Sequence, residues 1–344
     1  MTPEELAALF RAEFELCRVH EGETVVVLAG PHSSPAYIQA SIAACRALGA
    51  QVFEIMLPSL PAGQDPGQKG GTFVGRTPLT GQRVALETLK KADFVVDLMF
   101  LLHSPEQVEI LRAGARMLLV VEPVEILARL FPTEPLRRRV EAGAERLRKA
   151  RELRVTSPAG TDLVMALGDY PVITQYGYTD APGRWDHWPS GFLYTWPNEG
   201  RTTGRVVLST GDLIWPFNRY VSQPITLTVK DGYIRKIEGG LDALLLRQQL
   251  ESFHDPEGFA VSHIGWGLDE RAQWPALVFE TRSCGMDARS YYGNVQFSTG
   301  PNTEAGGTRH TLAHFDMPML GSSLALDGEP VVQDGRLVPE DQRP

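Results

Sequence analysis

The chain has 344 residues, with 33 Lys or Arg against 42 Asp or Glu, a formal net charge of −9, and 43% hydrophobic residues. This is the composition of a globular protein long enough for two domains, and its acidity argues against a nucleic-acid partner, whose phosphates require clustered Lys and Arg. No apolar run approaches the roughly 20 residues that span a bilayer, the first residues lack the apolar stretch of a secretory signal, and three cysteines without a CxxC spacing form no disulfide framework, so a cytoplasmic location with reduced thiols is expected.

In chain order, Thr2 and Glu5 make a capping-box pattern ahead of Leu6, Leu9, Phe10, Phe14 and Cys17, which share one helical face. The β-branched run Glu23–Gly30 predicts a strand buried on both faces, Ser34 and Pro35 open a helix that ends at Gly49, and Gln51–Leu57 is a second strand. A Pro- and Gly-rich stretch, 58–78, precedes a helix at Thr80–Lys91, a strand at Asp93–Met99, a helix at Pro105–Ala113 and a strand at Arg116–Glu122. Strands and helices in alternation imply a mostly parallel sheet with helices on both faces. No GxGxxG or GxxxxGK[ST] follows any of these strands, so nucleotide binding has no support. A charged helix over 133–153, its basic run read as a solvated face, leads to a domain boundary placed near 150, dividing an α/β domain (1–150) from a second domain (151–344).

The second half is different material. Short β-rich runs dominate (Arg205–Leu208, Ile225–Val229, Tyr233–Glu238), with Lys230-Asp231-Gly232 as a hairpin turn and one helix at Leu241–Phe253. All six tryptophans and six of the eight histidines lie beyond residue 100, and four of those tryptophans fall between 185 and 215. Aromatic, Gly-rich loops of this kind suit a pocket for a planar molecule, and equally a plain β core. The expected architecture is an α/β N-terminal domain followed by a β-rich α+β metal-binding domain.

The strongest local signal is His314-Phe-Asp316, because residues at i and i+2 of a strand lie on one face and can meet one ion. On its own such a pair is common and reads first as a hydrogen-bonded surface feature. His263, in Ser262-His-Ile-Gly-Trp-Gly267, adds a second histidine where closely spaced glycines bring backbone near something small. Two histidines and a carboxylate make the facial triad of non-haem Fe(II), with positions left for substrate and O₂, whereas a closed zinc site needs a fourth ligand. His187, between Trp185-Asp186 and Trp188, suits a tuned acid or base, or a histidine hydrogen-bonded inside an aromatic loop. His103 follows a strand end, where open α/β sheets place ligands, and reads also as a solvated residue near a helix N-terminus. His20, His32, His254 and His310 read as surface residues, and the absence of GxSxG and HExxH excludes a nucleophile elbow and a zincin helix.

Five segments carry a resemblance: Leu101–Gln107, Pro182–Phe192, Thr195–Glu199, Ser262–Gly267 and Phe297–Glu304. In these, and almost end to end, the chain resembles the 2,5-dihydroxypyridine 5,6-dioxygenases of bacterial nicotinate catabolism. The resemblance implies one Fe(II) on His263, His314 and Asp316, pocket histidines at His103 and His187, and a pocket serine at Ser298. It implies a hydroxypyridine and O₂ as the only partners, bound against the aromatic stretch that includes Trp188. The family is similar in fold to aminopeptidase T-type metallopeptidases, which bind two metals and by analogy suggest a homo-oligomer. Against them His263 replaces a glutamate and Gln296 a ligand histidine, and a neutral amide is a poor partner for a second dication. The resemblance expects Glu where this chain has Gln175, which keeps the hydrogen-bonding shape but not the acid–base function. Two rivals stand beside this reading: an aminopeptidase T-like metallopeptidase, and a non-catalytic protein that binds a pyridine-like ligand.

Overall fold

The structure, a computed structural model, describes residues 1–60, 77–102 and 104–344; most of the Pro- and Gly-rich stretch 58–78 and the candidate His103 lie outside them. Helix α1 (Pro3–Leu16) begins with the capping box, the Thr2 hydroxyl accepting from Glu5 N and the Glu5 carboxylate from Thr2 N. In order follow β1 (Thr24–Ala29), α2 (Pro35–Ala47), β2 (Gln51–Met56), α3 (Arg83–Leu89), β3 (Phe94–Asp97), α4 (Pro105–Arg112), β4 (Arg116–Val120), α5 (Val124–Arg129), α6 (Glu134–Lys149), β5 (Glu152–Thr156), β6 (Asp162–Ala166), β7 (Val172–Gln175) and β8 (Trp185–Trp188). Strands β2-β1-β3-β4-β8 form one sheet in which each pairing is parallel. Its central strands are buried along nearly their whole length, with Val26, Leu28, Val95 and Met117 in one cluster with Ile110 of α4. Each such side chain contributes about 1.5–3 kcal/mol when removed from water.

The chain divides into two compact units, Met1–Pro132 with Tyr176–Ser190, and Thr133–Gln175 with Gly191–Pro344. The division therefore differs from a single cut near 150. Helix α6 belongs to the second unit because its apolar stripe (Leu136, Val140, Ala144, Leu147) is buried there, and residues 176–190 return to add β8 to the first unit's sheet. A strand that rejoins a sheet after a long excursion leaves no local mark in the sequence.

The second unit continues with β9 (Phe192–Thr195), β10 (Thr202–Leu208), β11 (Leu213–Ile214), β12 (Arg219–Tyr220), β13 (Ile225–Lys230), β14 (Tyr233–Gly239), α7 (Leu241–Glu251), β15 (Val261–Gly267), α8 (Ala276–Phe279), α9 (Met286–Ser290), β16 (Val295–Thr299), β17 (Phe315–Met319), β18 (Ser323–Leu326), β19 (Glu329–Gln333) and β20 (Arg336–Leu337). The β13–β14 turn has Asp231 and Gly232 at φ 53° and 76°, the positive pair that a tight hairpin requires. One antiparallel sheet has the order β14-β13-β10-β6-β5-β18-β19-β20 and a second, β17-β16-β15-β9-β7. An α/β region with a parallel sheet and a β-rich second part is the fold class the sequence implies. Among the described residues no helix is long and apolar enough to cross a membrane.

Candidate metal centre

Three neighbouring strands of the five-stranded antiparallel sheet carry the site. In β16–β17, Ser298 pairs with Asp316 and Gln296 with Pro318. In β15–β16, Val261 pairs with Thr299 but Ile264 with Phe297, so three steps along β15 oppose two along β16. The extra residue is a bulge at Ser262–His263, a device that re-aims a side chain. The Ser298 hydroxyl holds it by donating to the His263 carbonyl at 2.8 Å. The glycines beside His263 serve the sheet itself: a Cβ at Gly265 would strike the Leu193 carbonyl and Tyr194 Cβ, and one at Gly267 the Tyr291 carbonyl. What comes close is neighbouring backbone, not the small ligand that their spacing brings to mind.

His263, His314 and Asp316 each offer a ligand atom within 4.8 Å of the others, and all three are buried. Asp316 Oδ1 lies 3.2 Å from His263 Nε2 and 3.3 Å from His314 Nε2. His314 Nδ1 is 3.0 Å from the Thr299 carbonyl. A carbonyl only accepts, so Nδ1 carries the proton and Nε2 of the neutral ring turns a lone pair toward Asp316. At His314 acceptor then faces acceptor, and among the described residues Asp316 Oδ1 has no partner in hydrogen-bonding geometry. Protonating both imidazoles would crowd two more cations beside Arg289, whose Nε already donates to Asp316 Oδ2 at 2.8 Å. A single divalent cation satisfies all three acceptors at once, so this donor set fits a metal. Burial alone would push the Asp316 carboxyl up, but positive charge around it, on Arg289 and on His314 and His263 when their rings are protonated, holds it well below the usual carboxylate range, as a cation held among these donors would.

Aromatic rings wall the histidines. Tyr194 and Trp196 lie 4.7 and 5.8 Å from the His263 ring, and Trp215 lies 6.1 Å from His314. Phe192, Tyr194, Trp196 and Met286 form one buried cluster. Gln175, 3% exposed, donates through Nε2 to the Tyr194 hydroxyl (3.2 Å), which donates to Glu304 (2.9 Å). The structure thus gathers His263, Ser298 and Asp316 on three adjacent strands with His314 just ahead of β17, and joins Gln175 to the Tyr194 wall.

His187 and Trp188 belong to the first unit, on β8. His187 is 3% exposed, pairs with Leu119 and meets Phe100 edge-on at 6.3 Å. Asp186 accepts from His187 N, Tyr176 N and Arg184 Nη2; burial pushes its carboxyl up despite those contacts. Trp188 is fully buried, edge-on to Phe10 and Phe131, which gives it a packing role in this core. His20, His32, His254 and His310 are exposed. Sequence reasoning misses Arg289 and Tyr194. Arg289 sits in Met286-Asp-Ala-Arg-Ser290, which carries no pattern, and Tyr194 reads as one more aromatic strand residue.

The family model for 2,5-dihydroxypyridine 5,6-dioxygenase matches residues 5–339. The 2,5-dihydroxypyridine 5,6-dioxygenase of Pseudomonas putida is 48% identical over 342 residues, covering 98% of each chain. The solved structure of a 2,5-dihydroxypyridine dioxygenase from Pseudomonas putida superposes with a TM-score of 0.96 at 46% identity, covering all of both chains. AmpT from Thermus thermophilus, at 16% identity, TM-score 0.56 and 98% and 99% coverage, shares the fold. With the match spanning nearly every residue, including the strands that bring His263, His314 and Asp316 together, the chain belongs to the 2,5-dihydroxypyridine 5,6-dioxygenase family.

Proposed function

We propose that this protein opens the ring of 2,5-dihydroxypyridine with O₂ to give N-formylmaleamate, using Fe(II) held by His263, His314 and Asp316. Both oxygen atoms enter the product across ring carbons 5 and 6, so no external reductant is needed. The observation that supports the metal is the buried meeting of two imidazole nitrogens with one unpartnered carboxylate oxygen. Bound there, ferrous iron would supply electron density to dioxygen, which zinc cannot, and three protein ligands leave room for substrate.

The chain's own groups do the rest. Tyr194 and Trp196 keep water from the histidines and offer flat faces to a planar ring. Ser298 keeps the His263 bulge in place through its hydroxyl proton and retains lone pairs that can accept from a ring substituent. On the resemblance, His187 or His103 takes the substrate's hydroxyl proton, which raises electron density on the ring. Gln175 acts through Tyr194, as a donor. Trp188, spent on the first unit's core, has no place among the substrate contacts. The hydrolytic rival needs a second metal, yet Gln296 presents only a neutral amide whose Nε2 donates to the Arg289 carbonyl. The same reading takes the protein as cytoplasmic and homo-oligomeric, checked by light scattering.

The test is anaerobic ferrous loading followed by O₂ uptake and loss of ring absorbance with 2,5-dihydroxypyridine. One O₂ per ring opened, abolished by a chelator, is the expected result. Iron bound with no O₂ consumed sends the search to other hydroxypyridines. No iron bound returns the chain to the peptidase or binding-protein reading.

A further inference from the structure

The two oxygens of Asp316 live in different surroundings. Oδ1 faces the two histidines, while Oδ2 accepts from Arg289 Nε at 2.8 Å. Arg289 is 7% exposed and held from several sides. Its Nη1 donates to the Cys284 carbonyl at 2.9 Å, and its guanidinium lies 4.6 Å over the Trp215 ring. Its own carbonyl accepts from Asn294 Nδ2 at 3.1 Å and from Gln296 Nε2. Trp215 also fixes the Asp316 backbone, donating to the Asp316 carbonyl at 2.9 Å and accepting from Asp316 N at 3.1 Å. One tryptophan thus anchors both the carboxylate and the arginine that grips it.

A carboxylate can bind a metal through one oxygen or two, and the second oxygen takes up a position that a ligand could use. A buried, charge-assisted hydrogen bond on Oδ2 occupies a lone pair there and sets the rotation of the carboxylate. We infer that Arg289 is a positioning residue which restricts Asp316 to a single metal-binding oxygen, so that the positions needed by substrate and dioxygen stay open. The inference rests on the ferrous reading above. It makes Arg289 more than a counter-charge, since a purely structural ion pair would leave ligand capacity at the metal unchanged.

The probe is nitric oxide, a stand-in for dioxygen, followed by electron paramagnetic resonance of the ferrous protein with and without 2,5-dihydroxypyridine. In the wild type, substrate and nitric oxide bind together, and the nitrosyl signal changes shape when substrate is added. Arg289→Met removes the donor at similar length. It should retain iron with affinity lowered by about 10–100-fold, the usual consequence of losing a group that orients a ligand, and substrate should now displace nitric oxide. Arg289→Lys, which keeps charge and one donor, should restore part of the joint binding. An Arg289→Met protein that holds substrate and nitric oxide together as the wild type does overturns the inference. A wild type that gives no nitrosyl signal sinks the ferrous reading instead. Should Arg289→Met fail to fold, the infrared bands of ¹³C-aspartate in the wild type decide: on iron loading, the gap between the two carboxylate stretches widens for one-oxygen binding and narrows for two, and narrowing overturns the inference.

Discussion

The central strands of the first unit's parallel sheet and of the second unit's five-stranded antiparallel sheet are both buried, and they differ in what they bury. Strands β1 and β3 and the body of β4 bury Val25, Val26, Val27, Leu28, Val95, Val96, Met117, Leu118 and Leu119. Strands β15, β16 and β17 bury Ser262, His263, Gln296, Ser298, Thr299 and Asp316. An apolar strand is satisfied once it is packed. A polar one is satisfied only when each donor and acceptor has a partner, and among the described residues His263 Nδ1, Gln296 Oε1 and Asp316 Oδ1 have none. The apolar strands β1, β3 and β4 are therefore complete once packed, whereas β15, β16 and β17 bring buried acceptors together that a cation would satisfy.

The most severe test sets one residue from each sheet side by side. His263→Ala should abolish metal binding and turnover while the protein still folds. Leu118→Ala should lower stability by about 2–5 kcal/mol and leave metal affinity unchanged. Chelator competition and urea unfolding read both. Equal loss of metal in the two variants would break the comparison. Next in size, His187→Ala should keep its iron but lose about 10²–10⁴ in kcat, the range of a general base; normal turnover would return His187 to a packing role on β8.

A third test uses the charge that the parallel sheet does bury at the end of β3. Asp97 accepts from Met99 N and Leu101 N at 2.7 and 2.8 Å, yet burial outweighs both and pushes its carboxyl up to about 6. Because the folded state holds this proton more tightly than the unfolded chain, stability from this group is present below the unfolded value and is lost as pH rises toward 6. A shift of about two units corresponds to about 3 kcal/mol. Asp97→Asn should flatten that slope, so the difference between wild type and variant in urea midpoint should change between pH 4 and pH 7. A constant difference across that window would mean that Asp97 is not the buried acid.

The contrast also explains what could be read in advance. The parallel sheet was legible because continuous β-branched runs between helix signals have few other uses, and the Asp231-Gly232 turn because its backbone needs positive φ. The i, i+2 spacing of His314 and Asp316 drew attention to them, but only His263 set beside them made a metal site the expectation. Three things were not legible. The bulge that turns His263 inward depends on the register of β16, which local sequence does not carry. Arg289 reaches Asp316 from 27 residues away in a short helix without pattern. And β8 returns to the first unit after α6 and three strands of the second, so no boundary near 150 could capture it.

The smallest expected effect concerns the residue that departs from its family's expected glutamate. Gln175 donates to the Tyr194 hydroxyl, and that hydroxyl donates onward to Glu304. The order is dictated by chemistry: the phenol has one proton, and Glu304 as a carboxylate can only accept it. In Gln175→Glu the new carboxylate would compete for the same proton, in a site only 3% exposed. It must either take up a proton itself or lose its contact, so its folded-state affinity for a proton rises above the unfolded value. The variant should therefore match the wild type at low pH and fall below it by about 1–3 kcal/mol as pH rises past neutrality, the usual cost of an unsatisfied buried acceptor. Because Tyr194 lies against His263, the loss should be accompanied by a modest change in KM with metal still bound. Urea unfolding at pH 5 and pH 8 measures the first effect and steady-state kinetics the second. Equal stability of variant and wild type at both pH values would mean that the Tyr194 proton is not committed to Glu304, and that the second sheet tolerates a second buried acid where its hydrogen bonds leave no room for one.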